Sequence, residues 1–195
     1  VYAGTYRGAA AGSAIVVAEG SPIRSLHDLK GRKLAFKRGS SAHNVAVKAL
    51  RKAGLEPSDV TLIDLSPPDA AAAFRTGSID AWSIWDPYFA VVEKEPTTRV
   101  LTTAEGIVDS WSYFLANGDF AKENGSTITA ILDELARGGR AAQADVDTTA
   151  RTLSQITGVP QDITKVTLTR PGADLGRVSL VTDEAVAYQQ ALADE

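Results

Sequence analysis

The segment Gly39-Ser40-Ser41-Ala42-His43-Asn44 gathers two hydroxyls, an imidazole and a carboxamide immediately ahead of an apolar helical repeat. Three chemistries suit such a cluster. Amides at the start of a helix lack partners within it and stand at the positive end of the helix dipole. Ser41, Ala42, His43 and Asn44 can therefore present N–H groups to an anion, with the Ser40 and Ser41 hydroxyls adding bonds. Alternatively, Ser40 or Ser41 simply caps the helix by accepting one of those amides. The third possibility is a serine–histidine nucleophile, and the pattern argues against it: the residues are close neighbours on one turn, no orienting carboxylate is identifiable, and triads draw their members from separate elements. Spacing alone leaves the first two readings open.

Trp82, Trp85 and Trp111 are the other conspicuous side chains, each offering a large apolar surface with one donor. Alternation along a strand sends Trp82 and Trp85 in different directions, so one of them belongs to the core. Trp85 is the better pocket wall, because it falls at the carboxyl end of its strand, where open α/β sheets bind ligands. Core packing is the competing reading for all three. Asp86 and Pro87 read as N-cap and first residue of a helix reaching about Glu95, which assigns Asp86 a structural task.

The elements that must position these residues follow from periodicity. Ser13–Ala18 is a β-branched run ending in a turn at Glu19-Gly20-Ser21-Pro22, Ser25–Lys30 a brief helix stopped by Gly31, and Lys33–Lys37 the next strand. Ala42, Ala46, Ala49, Leu50 and Ala53 form a helical stripe, with Lys48, Arg51 and Lys52 on the other side. Val60–Leu65 is a strand, an alanine-rich helix runs from Pro67 to Gly77, and Ile79–Trp85 is a strand again. This alternation predicts a parallel, helix-covered α/β sheet. Arg99–Thr103 and Trp111–Ala116 are further strands. From Asp119 onward the pattern is helical: Ile128, Ile131, Leu132 and Leu135; Val146, Ala150 and Leu153; Ala185, Tyr188 and Leu192.

Composition narrows the function. Twenty Lys and Arg against 24 Asp and Glu give a net charge of −4, and no basic stripe interleaved with aromatics exists to hold nucleic acid. Cysteine is absent, which removes thiolate chemistry, disulfides and cysteine-based clusters. His27 and His43, the two imidazoles, lack the spacing of a zinc site, so neither metal nor cofactor is expected. Gly4, Gly8 and Gly12 lie too far from a strand–helix junction for a dinucleotide loop. No apolar run approaches the ~20 residues needed to span a bilayer, and the first residues lack the features of a signal peptide.

Taken together, "SPIRSLHDLKGRKLAFKRGSSAHN" and "PPDAAAAFRTGSIDAWSIWDPYFA" closely resemble the aliphatic-sulfonate-binding proteins of ABC importers, within the group that also binds taurine, nitrate and thiamin precursors. The resemblance is dense to about Asn124 and looser afterward. It implies a periplasmic-binding-protein-like (type II) α/β fold of two lobes, one complete and the other partial. Residues 1–22 would be part of the first lobe and a crossing, 23–110 the second lobe, and 111–195 the second crossing with the helical part of the first lobe. It further implies a chain that begins mid-lobe, with an uncovered strand edge and apolar core awaiting a preceding segment or a partner chain.

By the same resemblance the function would be capture of a small organosulfonate outside the cytoplasmic membrane, in the periplasm or on a lipid anchor, and delivery to an ABC permease without catalysis. The family motif carries anion contacts onto Ser40, Ser41 and His43 and a cleft wall onto Trp85, with Ala42 and Asn44 joining through their amides. Asp86 belongs to the motif, but a carboxylate beside a sulfonate would repel it, which favours its capping task. The thiamin-pyrimidine enzymes of the group depend on a cysteine-rich motif, and this chain has no cysteine. A binding protein for taurine, nitrate or another small anion, an enzyme on the same fold, and a cytosolic ligand-sensing module remain as alternatives.

Overall fold

The computed structural model describes residues 2–7, 10–109, 111–171, 179–180, 186–187 and 190. The apolar run at β2 (Ser13–Ala18) becomes a strand covered on both faces: Ala14 and Val16 point into one core, Ile15 and Val17 into another, and all four are fully buried. Four more strands join it in one sheet, namely β3 (Lys33–Phe36), β4 (Thr61–Asp64), β5 (Ala81–Trp85) and β6 (Thr98–Thr103), in the order β4-β3-β5-β2-β6.

The sheet is mixed, not parallel as the alternation predicts. β4, β3 and β5 run parallel, joined by crossovers through α1 (Ser41–Lys52) and α2 (Pro67–Arg75), whereas β2 lies antiparallel to both β5 and β6. The physical reason is the connection: β2 leads to β3 through a turn and a short 3-10 helix at Leu26–Leu29, without the α-helical crossover that places successive strands in parallel. β6 then returns beside β2, and the Ala104 amide donates to the Ser13 carbonyl at 2.8 Å. Entry to and exit from the sheet are thus hydrogen-bonded to each other.

Two cores hold the sheet. On one face Leu34, Phe36, Ile15 and Val17 meet the apolar stripe of α1, Ala42, Val45, Ala46, Ala49 and Leu50. On the other, Ala35, Val16, Trp82 and Ile84 meet Phe74 of α2 and Phe89 of α3 (Tyr88–Val92). Burying each large aliphatic or aromatic side chain of these cores stabilises the fold by about 1.5–3 kcal/mol. The α3 helix stops at Val92, three residues before the expected end. The Lys94 and Glu95 amides donate three residues back, and Glu95 precedes Pro96, whose ring disfavours helical backbone in the residue before it.

A second sheet of three antiparallel strands, in the order β7-β1-β8, is formed by β1 (Tyr2–Arg7), β7 (Trp111–Leu115) and β8 (Ser179–Leu180). Sequence patterning does not reveal β1, because Gly4 interrupts its alternation. The helices α4 (Gly118–Glu123), α5 (Gly125–Ala144), α6 (Val146–Thr157) and α7 (Gln161–Leu168) follow, with Leu132, Ala136, Ala150 and Ile163 buried among them. Ala185, Tyr188 and Leu192 lie outside the described residues. Leu115, Ile131, Leu135 and Ile156 are exposed. Among the described residues no helix is long and apolar enough to cross a membrane.

Candidate functional site

Gly39 turns the chain from β3 into α1 with φ at +76°, a left-handed conformation that strains any residue bearing a Cβ. Ser40 follows in extended backbone as the N-cap. Its side chain does not cap: the hydroxyl donates back to the Lys37 carbonyl at 2.6 Å, while the Ser40 carbonyl accepts the amides of His43 (3.1 Å) and Asn44 (3.4 Å). Of the four amides expected to face an anion, those of His43 and Asn44 are therefore engaged. Ser41 and Ala42 keep amides without a partner among the described residues, at the positive end of a helix of 12 residues.

The surroundings fix these two amides in place. Ala42 is fully buried, and its carbonyl accepts the hydroxyl of buried Ser83 on β5 at 2.8 Å. The His43 ring stacks on Phe36 with centroids 4.7 Å apart and planes 7° from parallel. Its Nδ1 accepts the Gly39 amide at 3.4 Å, which leaves the proton of the neutral imidazole on Nε2. Ser41 is exposed and Asn44 half-buried.

Charge near the turn is directed elsewhere. Asp64, at the end of β4, accepts the Arg38 amide and the Lys37 ammonium, each at 3.0 Å, and Arg38 Nε stands 4.0 Å from its other oxygen. The Arg38 amide and then Lys37 hold the Asp64 carboxyl below its ordinary range. An anion at α1 would accordingly be met by peptide dipoles rather than by a full counter-charge.

Trp85 lies at the same carboxyl edge, because β3 and β5 run parallel in register, Leu34 beside Ala81 and Ala35 beside Trp82. It is half-buried, packs against both cores and stands edge-on to Tyr88, with ring centroids 6.0 Å apart. Trp82 is the core member of the pair, 2% exposed and tilted against Phe74. The Trp111 side chain lies outside the described residues.

Asp86 does bond to the following helix: its Oδ1 accepts the Ala90 amide at 3.0 Å, although α3 begins at Tyr88, one residue past the expected start. It has a second partner that local sequence does not indicate. Arg170 donates Nε to Oδ2 at 2.8 Å and Nη2 to Oδ1 at 3.0 Å, then reaches Glu93 at 2.6 and 3.1 Å, with its guanidinium 4.4 Å from the centre of the Phe89 ring. Burial opposes the Arg170 charge, but the bonds to Asp86 and Glu93 outweigh it and bind the proton more tightly than in a free arginine. Among the described residues no three His, Asp or Glu side chains gather as a metal site would require.

Comparison with known proteins places the chain in a wider group. The NMT1/THI5-like family model matches residues 9–148, well over half of the chain. A relative in Escherichia coli strain K12 named an aliphatic sulfonates-binding protein is 36% identical over 181 residues, covering 92% of this chain and 56% of its own length. Among solved structures, the periplasmic aliphatic sulphonate binding protein SsuA from Escherichia coli superimposes with a TM-score of 0.92 at 36% identity, over all of this chain and 62% of that one. The alkanesulfonate-binding protein SsuA from Xanthomonas axonopodis pv. citri bound to MOPS gives 0.86 at 33% identity, over all of this chain and 66% of that one. The chain spans little more than half the length of the curated relatives it matches. Its fold is that of the periplasmic binding proteins.

Proposed function

The chain belongs to the NMT1/THI5-like family, and from that premise we propose that it captures a small organosulfonate outside the cytoplasmic membrane and delivers it to an ABC permease without altering it. The observation that carries this reading is the pair of amides of Ser41 and Ala42 at the start of α1, which have no partner among the described residues, on the sheet edge that also bears Trp85. A sulfonate is ionised throughout the physiological range. Backbone amides and the helix dipole can hold it without an ammonium or guanidinium, and hydrogen bonds to a charged group are worth roughly 1.5–3 kcal/mol each.

The organic tail lies on Trp85, whose half-buried ring offers apolar area at the mouth of the site. The Ser41 hydroxyl adds a bond. The Ser40 hydroxyl joins only by leaving the Lys37 carbonyl, and His43 contributes through Nε2, the nitrogen not engaged with Gly39. Asn44 takes part in the first turn through its amide, which donates to the Ser40 carbonyl. A ligand gripped by two lobes at once, with the body that holds the β4-β3-β5-β2-β6 sheet forming one of them, favours the closed state that a permease would recognise. The similarity in sequence and fold to proteins named as sulfonate-binding supports this reading.

Titration calorimetry with a series of alkanesulfonates, taurine, sulfate and nitrate tests it. One sulfonate bound per chain and recovered chemically unchanged is the expected result. Absence of heat with every sulfonate removes the substrate assignment, and turnover of the ligand would make the protein an enzyme.

A further inference from the structure

Arg170 lies 84 residues from Asp86 in sequence, two residues beyond α7, and reaches the corner between β5 and α3. The three side chains meet largely out of solvent, at 13% exposure for Arg170, 14% for Asp86 and 21% for Glu93. Gly12 closes the cluster from the β2 side: its carbonyl accepts the Asp86 amide at 2.8 Å, and a Cβ there would sit 3.1 Å from Asp86 Oδ2.

The direction of Asp86 matters because of its neighbours. Alternation along β5 sends Ser83 toward α1, where its hydroxyl meets Ala42, and sends Trp82 and Ile84 toward the α3 core. Asp86 continues the second series, so its oxygens meet the Ala90 amide and the arginine fork on the α3 face. It nevertheless stands one residue beyond Trp85, at the edge that carries the Ser41 and Ala42 amides. An unpaired carboxylate at that edge would oppose any anion held there.

We propose that Arg170 is a positioning residue for the anion seat: by gripping both oxygens of Asp86 it holds that carboxylate against α3 and offsets its charge, which keeps the edge receptive to anions. The proposal rests on the sulfonate-binding reading above. Arg170 need not touch the ligand. Glu93 supplies the internal comparison, since it shares the same arginine but follows the last residue of α3, whereas Asp86 directly follows Trp85.

Calorimetric titration of the protein with ethanesulfonate, alongside thermal unfolding of each variant, tests it. Arg170→Leu is expected to weaken binding roughly tenfold. Adding Asp86→Asn should restore affinity to near the wild-type value, while adding Glu93→Gln should restore only thermal stability. Equal rescue by the two second substitutions, or wild-type affinity in Arg170→Leu, overturns the proposal and leaves a purely structural arginine. Should Arg170→Leu fail to fold, Arg170→Lys with and without Asp86→Asn carries the same comparison, because lysine keeps the charge but loses the two-point grip. Wild-type protein that binds no ethanesulfonate or other sulfonate defeats the functional reading itself, a result distinct from any difference among the variants.

Discussion

The hydroxyl of Ser83, fully buried in the middle of β5, donates to the carbonyl of Ala42 in the first turn of α1 at 2.8 Å. This hydrogen bond links the strand that ends in Trp85 to the helix whose first amides have no partner among the described residues. Replacing Ser83 by Ala should cost about 1 kcal/mol of stability in urea unfolding. It should also weaken sulfonate binding, because the first turn of α1 loses a fixed point. Unchanged stability would mean that the Ala42 carbonyl is satisfied equally well without the hydroxyl.

Ser41 is exposed, so a bulky substitution there can fill the space in front of the amides without disturbing the core. Ser41→Trp should leave the unfolding midpoint unchanged and lower sulfonate affinity roughly 100-fold, the equivalent of two charge-assisted hydrogen bonds at the low end of their range. Calorimetry checks this. Retained affinity would return the serine-rich turn to a plain helix start.

Trp82 and Trp85, three residues apart, should separate stability from binding. Trp82→Ala removes a core side chain and should cost about 3–5 kcal/mol in denaturant unfolding. Trp85→Ala, at the half-buried edge, should cost clearly less while weakening binding of longer alkanesulfonates more than that of short ones. An equal loss of affinity for all chain lengths would show that Trp85 does not line the tail.

Asp64 gives the turn before α1 a dependence on pH. Its carboxyl is held below the ordinary value of 3.8 by the Arg38 amide and by Lys37. The folded value is the lower one, so the contribution is present above pH 3.8 and is lost as pH falls through the folded value. Asp64→Asn should therefore have a lower urea midpoint than wild type at neutral pH, and the two midpoints should converge in acid. Parallel curves at every pH would show that the carboxylate charge is irrelevant to the turn.

Local signals in the sequence are enough to locate the strand–turn–helix junction at Gly39–Asn44, because each feature there depends on near neighbours: a short apolar strand in Leu34-Ala35-Phe36, a glycine at the turn, polar residues at the helix start. The same holds for the different burial of Trp82 and Trp85, which follows from strand alternation. Choices made by distant partners are not legible in this way. The Ser40 hydroxyl has one proton and goes to Lys37, an outcome set by the curl of the turn rather than by residue type. That β2 lies between β5 and β6 rather than beside β3 is set by strands that come much later in the chain, and the arginine that meets Asp86 arrives from 84 residues away. β1 escapes notice for a related reason: its partners β7 and β8 lie more than a hundred residues downstream.

The bond between Ala104 and Ser13 has a further consequence. Everything between those two residues leaves from and returns to one point, so topologically the five-stranded body is a loop inserted into the rest of the polypeptide. A linker of a few residues would suffice to join its ends, and new termini could be opened at an exposed turn such as Gly54. Such an excised or permuted module would carry the strand–helix junction and Trp85 with it, and could be grafted as one piece.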